Sequence, residues 1–418
     1  MSSPAAMPAA HTPSSPAAAT STEWRAEVGG IEVLFGPGAA AAVGELARGL
    51  GGRRALVVTD PGVRAAGHAD RAAAALGAAG VAARIFDAVI ENPTTREVAA
   101  GRDAAALWGA DLLVGLGGGS AMDCAKGINF LLTNGGRMED YRGFGHARLP
   151  LLPAIGLPTT AGTGSEAQCY ALISQAESHQ KMACGDRQAR FRIVVLDPSL
   201  LASAPRRAAA AAGLDALAHA VESLACRAAN PVSRMLSREA WRLLEPSLSR
   251  HLAAPAEAGA AGAMLLGAHL AGAAIELSML GAAHACANPL SARYGVAHGV
   301  AVALMLPHVV RWNGAPAADW PAEGVPAEGV PAGSVPVAVP VPAAAYATLA
   351  GCASSEMVAA RIEELRAMAG LPERLRDVGV EAPALRELAR EAAQQWTAGF
   401  NPRPAGEAAL LHLYEQAF

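Results

Sequence analysis

At 418 residues the chain is long enough for two domains, because single hydrophobic cores rarely grow past roughly 250 to 300 residues. Only 4% of the residues are aromatic against 52% apolar, so the core must be built from closely packed Ala, Leu and Val. The 33 basic and 37 acidic residues are interspersed and leave a net charge of -4, which gives no electrostatic footprint for nucleic acid or an anionic membrane. Small-molecule chemistry is the expectation.

Residues 1–24 are mostly Ala, Pro, Ser and Thr, with neither the basic start of a signal peptide nor a spanning apolar run, and are read as a disordered tail. Residues 25–204 alternate short β-branched runs with Ala-rich helical stretches, as in ALVVTD (55–60), VAARIFDAVI (81–90), DLLVGLGGG (111–119) and RIVVLDP (192–198). That rhythm predicts parallel α/β units. Residues 205–418 lose the strands and carry helical spacing, for example over 207–227 and 232–252, which predicts an all-helical second domain. Within it, prolines at 316, 321, 326, 331 and 336 recur every five residues, so 314–342 is read as a Pro-rich surface insertion between helices. Six cysteines (Cys124, Cys169, Cys184, Cys226, Cys286, Cys352) without regular spacing read as reduced buried thiols and point to the cytoplasm.

Three polar turns are candidates for holding a dinucleotide. Asp60 ends an apolar run where a carboxylate could accept from ribose hydroxyls and disfavour a 2′-phosphate, although Asp60-Pro61-Gly62 is equally an ordinary turn. Gly117 to Ser120 joins a strand to a helix start, where backbone N–H groups can cradle phosphate. The same glycines serve tight packing, and Ser120 with Asp123 also fits a capping box. Thr159, Thr160, Thr163 and Ser165 place four hydroxyls among small residues, suited either to cofactor contacts or to capping a helix.

Asp215 and His219, four apart, share one helix face within ~6 Å, which suits chelation but also an ordinary ion pair. His284 and His298 are fourteen apart, ~21 Å along a straight helix, whereas two ligands of one ion lie within ~4 Å. The chain must turn between them, and Pro289 and Gly295 supply breaks. One carboxylate with three imidazoles suits Fe(II), with Zn(II), Mn(II) and Ni(II) as competitors.

The segments FGPGA (35–39), ENPT (91–94), GGGSAMDCAKGI (117–128), LPTTAGTGSE (157–166), LDP (196–198), GLDALAHAVE (213–222), the stretch 284–299 and NPRP (401–404), in this order, closely resemble the iron-containing alcohol dehydrogenase family. The resemblance implies a Rossmann-like N-terminal domain, a helical C-terminal domain and an active site between them. It implies cofactor contacts from Asp60, Asn92, Gly118, Gly119, Ser120, Thr159, Thr160, Thr163 and Lys181, and metal ligation by Asp215, His219, His284 and His298. NAD, or NADP, and a divalent metal, Fe(II) ahead of Zn(II), would serve exchange of hydride with a small alcohol or aldehyde; a homo-oligomer is admissible. Many members carry a histidine four residues after the third ligand, where this chain has Asn288, so Asn288 is the candidate catalytic departure. A dehydroquinate-synthase-like lyase and a non-catalytic nucleotide-binding scaffold are the alternatives.

Overall fold

The computed structural model describes residues 23–178, 180–316 and 342–418. Ten strands lie in its first half: β1 (Trp24–Val28), β2 (Ile31–Phe35), β3 (Arg54–Val58), β4 (Ala82–Phe86), β5 (Leu112–Gly117), β6 (Gly143–Phe144), β7 (Ala154–Pro158), β8 (Tyr170–Ser174), β9 (Lys181–Gly185) and β10 (Ile193–Leu196). Between them run α1 (Val43–Gly49), α2 (Pro61–Ala65), α3 (His68–Ala78), α4 (Thr95–Trp108) and α5 (Gly119–Asn134). The main sheet has the order β1-β2-β10-β7-β5-β3-β4, parallel except for the β1–β2 hairpin. From β3 the chain steps outward to β4 and then returns to the opposite side of β3 as β5. That reversal opens a crevice at the carboxyl ends of β3 and β5, where parallel sheets bind ligands.

Two features of this half were not expected from the alternation of strands and helices. The β1–β2 hairpin starts at Trp24, so the expected tail is too long at its end; residues 1–22 lie outside the described residues. A second sheet, β6-β9-β8, hangs beside the first and carries Lys181 at the start of β9.

Beyond the 3-10 turn Pro198–Ser203 the described chain is helical. Its helices are α6 (Arg206–Ala225), α7 (Pro231–Leu244), α8 (Leu248–Ala253), α9 (Ala258–Glu276), α10 (Ala282–Tyr294), α11 (His298–Gly314), α12 (Pro342–Tyr346), α13 (Ser355–Ala369), α14 (Leu385–Ala393) and α15 (Glu407–Ala417). The single helix expected over 232–252 is two, α7 and α8, parted at Glu245-Pro246-Ser247. Proline lacks the amide that would continue the ladder. The edges of the expected insertion belong to helices, since Gly314 ends α11 and Pro342 begins α12; residues 317–341 lie outside the described residues.

Helix α6 is the centre of this half. From Gly213 to Ala225 every residue is buried, with α7, α9 and α11 packed around it. A helix buried on all sides belongs to the interior. Its leucines contribute about 1.5–3 kcal/mol each by burial. Asp215, His219 and Glu222 share that interior, and buried polar groups need partners. Helix α9 is long and apolar enough to cross a membrane by length and composition, but 78% of its most apolar window is buried and it packs on α6 and α7 as a core helix.

Candidate active site

The three imidazoles that the resemblance marks as ligands each approach the Asp215 carboxylate. Helix α6 supplies Asp215 and His219, α10 supplies His284 in its first turn, and α11 begins at His298. The reversal is made by Gly295, at φ 63° in the left-handed region, which ends α10 one short turn before α11. Pro289, expected to help break the chain, lies inside α10 without ending it.

Asp215 Oδ1 is 3.4 Å from His284 Nε2, 3.6 Å from His219 Nε2 and 3.9 Å from His298 Nε2. Ligand atoms of Asp215, His284 and His298 all lie within 4.8 Å of one another. Four ligands about 2.1 Å from one ion stand roughly 3.4 Å apart. Asp215 Oδ1 and His284 Nε2 are buried without a hydrogen-bond partner. Such orphaned atoms are costly unless something sits between them, so the donor set fits a divalent cation. His298, 26% exposed at its side chain against 4% for Asp215 and His284, marks the open side.

Electrostatics separates the groups. Burial raises the Asp215 pKa, but the surrounding imidazoles more than offset it and hold the carboxyl well below its ordinary range. Burial lowers His284, yet Glu222 and Asp215 win and push it up to about 9. His298 is pushed down to about 3, by burial first and by Lys181 and its neighbouring imidazoles next.

Glu222 is the residue that the sequence reading passed over. Its Oε2 accepts from His284 Nδ1 at 2.5 Å and its Oε1 from the Ala283 amide at 2.8 Å. The signal was present in GLDALAHAVE, where Asp215, His219 and Glu222 stand at i, i+4 and i+7 on one helix face.

The three polar turns gather at the carboxyl ends of β3, β5 and β7. Asp60 caps α2, its Oδ1 accepting from the Val63 amide at 2.9 Å, so the turn role is realised there. Helix α5 starts at Gly119 after an extended Gly118, with no side-chain cap on its first N–H groups. The expected Ser120–Asp123 capping box does not form: Ser120 Oγ accepts from the Asn92 amide at 3.2 Å, and Asp123 accepts from Ser165 Oγ. Asn92 is the one non-glycine at positive φ among the described residues, 53°, and its Oδ1 accepts from Lys181 Nζ at 3.3 Å. Asn92, Ser120 and Lys181 are thus brought together. The field of Lys181 reaches Asp215 and His298, linking this turn to the imidazole cluster.

Thr163 packs against Gly119, where an added Cβ would lie 2.6 Å from Thr163 Oγ1, and Thr160 faces Gly118. Thr163 Oγ1 also accepts from the Ser165 amide at 3.3 Å, a partial form of the capping role. Thr159 is buried, and its amide donates to the Gly117 carbonyl at 2.9 Å. Asn288 lies one turn beyond His284, its Nδ2 donating to Gln395 Oε1 at 3.0 Å.

With this geometry in place, the likeness to known proteins is decisive. Residues 31–198 match the family described as iron-containing alcohol dehydrogenase, and 209–418 match the Fe-containing alcohol dehydrogenase family, C-terminal. The chain belongs to the iron-containing alcohol dehydrogenase family. It is 34% identical to the 1,3-propanediol dehydrogenase of Klebsiella pneumoniae over 92% of its own length and 96% of that protein. It is 32% identical to the lactaldehyde reductase of Escherichia coli (strain K12), over 92% and 97%. The solved structure of a 1,3-propanediol oxidoreductase superposes with a TM-score of 0.83 at 31% identity, covering 96% of this chain and all of that one. The protein is an alcohol dehydrogenase and aldehyde reductase of this iron-containing family, and the lyase and scaffold alternatives fall away; among its relatives the methanol dehydrogenase of Bacillus methanolicus is named NAD-dependent.

Proposed function

We propose that Asp215, His219, His284 and His298 hold the divalent metal, that the turns after β3, β5 and β7 with Asn92 and Lys181 hold NAD, and that the substrate enters beside His298. The observation that carries this reading is the approach of three imidazole nitrogens to the single buried oxygen Asp215 Oδ1. When bound, the metal supplies Lewis acidity toward a substrate oxygen and the nicotinamide exchanges hydride with the adjoining carbon.

The chain's own groups do the positioning. Asp215 stays ionised because the imidazoles around it favour the carboxylate. The Gly118–Ser120 helix start presents N–H groups to a diphosphate, and Lys181 with Asn92 stands between that start and the imidazoles. Asn288 cannot transfer a proton, so its amide orients and the alcohol proton leaves through water or a ribose hydroxyl. Relatives named for propanediol and lactaldehyde support a small substrate with a second oxygen. The six buried free cysteines support a reducing, cytoplasmic setting.

Replacing His284 by Ala tests the metal assignment. The expected result is loss of metal affinity by about 10²-fold or more and of turnover with it, while far-UV circular dichroism stays that of the parent. Parental metal content and activity in this variant would sink the assignment.

A further inference from the structure

We propose that Glu222 is a positioning residue that acts through His284 to set how tightly this chain holds a divalent cation; the inference rests on the metal reading above. Glu222 lies two turns along α6 from Asp215 and is 4% exposed. Both of its oxygens are committed to the start of α10, one to the ring of His284 and the other to the amide of Ala283.

A carboxylate can only accept, so the proton of a neutral His284 ring must sit on Nδ1. Nε2 is then left as a lone pair, and Nε2 is the atom that faces Asp215 Oδ1 at 3.4 Å. A neutral imidazole otherwise divides between two tautomers, of which only this one can donate to a cation at that point. The backbone contact adds a second constraint. Helix α10 follows Gly281, which offers no side-chain cap, and Glu222 from a different helix satisfies one of the buried amides of its first turn. Asn401 Oδ1 takes the one before it, from Ala282, at 3.1 Å. Ring and helix start are therefore pinned by the same carboxylate.

Charge balance points the same way. A divalent cation among Asp215 and three neutral imidazoles leaves one uncompensated positive charge in a site where Asp215, His219 and His284 are at most 4% exposed. Glu222 brings the sum over the cation, its four ligands and itself to zero. An unbalanced buried charge is costly, and partners behind a ligating histidine are typically worth 10–100-fold in metal affinity.

The test compares parent protein with Glu222→Gln, both stripped of metal and titrated with Zn(II) against a chromophoric chelator, and both loaded with Co(II) for visible spectra. The amide keeps the side chain's shape but removes the charge and turns one acceptor into a donor. The expected result is Zn(II) affinity lower by about 10–100-fold, a changed Co(II) spectrum, and a metal-free protein that keeps the parental far-UV circular dichroism. Parental affinity and spectrum in folded Glu222→Gln overturn the inference. If that variant does not accumulate as folded protein, Glu222→Asp, which keeps the charge but withdraws it from His284, is read in the same way. A parent that takes up neither metal overturns the metal reading itself, so the two failures are distinguishable.

Discussion

His284 and His298 are the same side chain in opposite fields. Two carboxylates press on His284 and raise its pKa from 6.5 to about 9, whereas burial holds His298 down to about 3. In metal-free protein, the stability owed to His284 is fully present below pH 6.5 and is lost as pH rises through about 9. That owed to a neutral His298 is present above pH 6.5 and is lost as pH falls toward about 3. The two together stabilise most near pH 6.5. In urea unfolding of metal-free protein, the gap between parent and His284→Gln should therefore narrow from pH 6.5 to about pH 9; a constant gap would contradict the argument. At this scale the sequence was informative where spacing is local. Asp215 and His219 could be paired from their four-residue separation, but the meeting of His284 with His298 depends on a turn at Gly295 that spacing only permits.

Helix α5 shows how one element serves two ends at once. Its first residues face the cofactor turns, and every residue from Ala121 to Leu131 is buried, including Asp123 and Lys126. Read along the chain, Ser120 and Asp123 look like caps, since a capping box is a local pattern. In the fold both are taken by partners distant in sequence, Asn92 and Ser165. Lys126 Nζ donates to the Ser165 carbonyl at 2.7 Å, to Ser165 Oγ at 3.2 Å and to the Tyr170 carbonyl at 2.8 Å. Those contacts tie α5 to the loop carrying Thr163 and to β8. Lys126→Met removes the cation from a buried network that includes Asp123, and such a break costs about 3–5 kcal/mol. Its melting temperature should fall accordingly, and adding Asp123→Asn should recover part of the loss because the stranded carboxylate is gone. A double variant that is less stable than Lys126→Met alone would count against this account.

Across the whole molecule the alternation of strand and helix made the parallel sheet legible, and the loss of strands after residue 204 made the helical half legible. The β1–β2 hairpin and the β6-β9-β8 sheet were not, because short or exposed strands such as Gly143–Phe144 leave little periodic signal. Nor can sequence state how closely the two halves approach. That distance is set at glycines of the threonine loop. Gly162 rests on α6 beside Ala212, three residues before Asp215, where an added Cβ would stand 2.7 Å from the Ala212 Cβ and 2.9 Å from its Cα. The Gly162 backbone also faces His219. One of the turns proposed to hold NAD thus leans on the helix proposed to hold the metal. Gly162→Ala has to push that loop off α6, and hydride transfer is acutely sensitive to the spacing of its reacting atoms. A displacement of about 1 Å can cost around 10²-fold in rate. The expected phenotype is a kcat lowered by roughly that order, with metal content unchanged and the KM for NAD raised by less. Parental kcat in Gly162→Ala would mean that the glycine serves packing alone and that the two sites are spaced by some other contact.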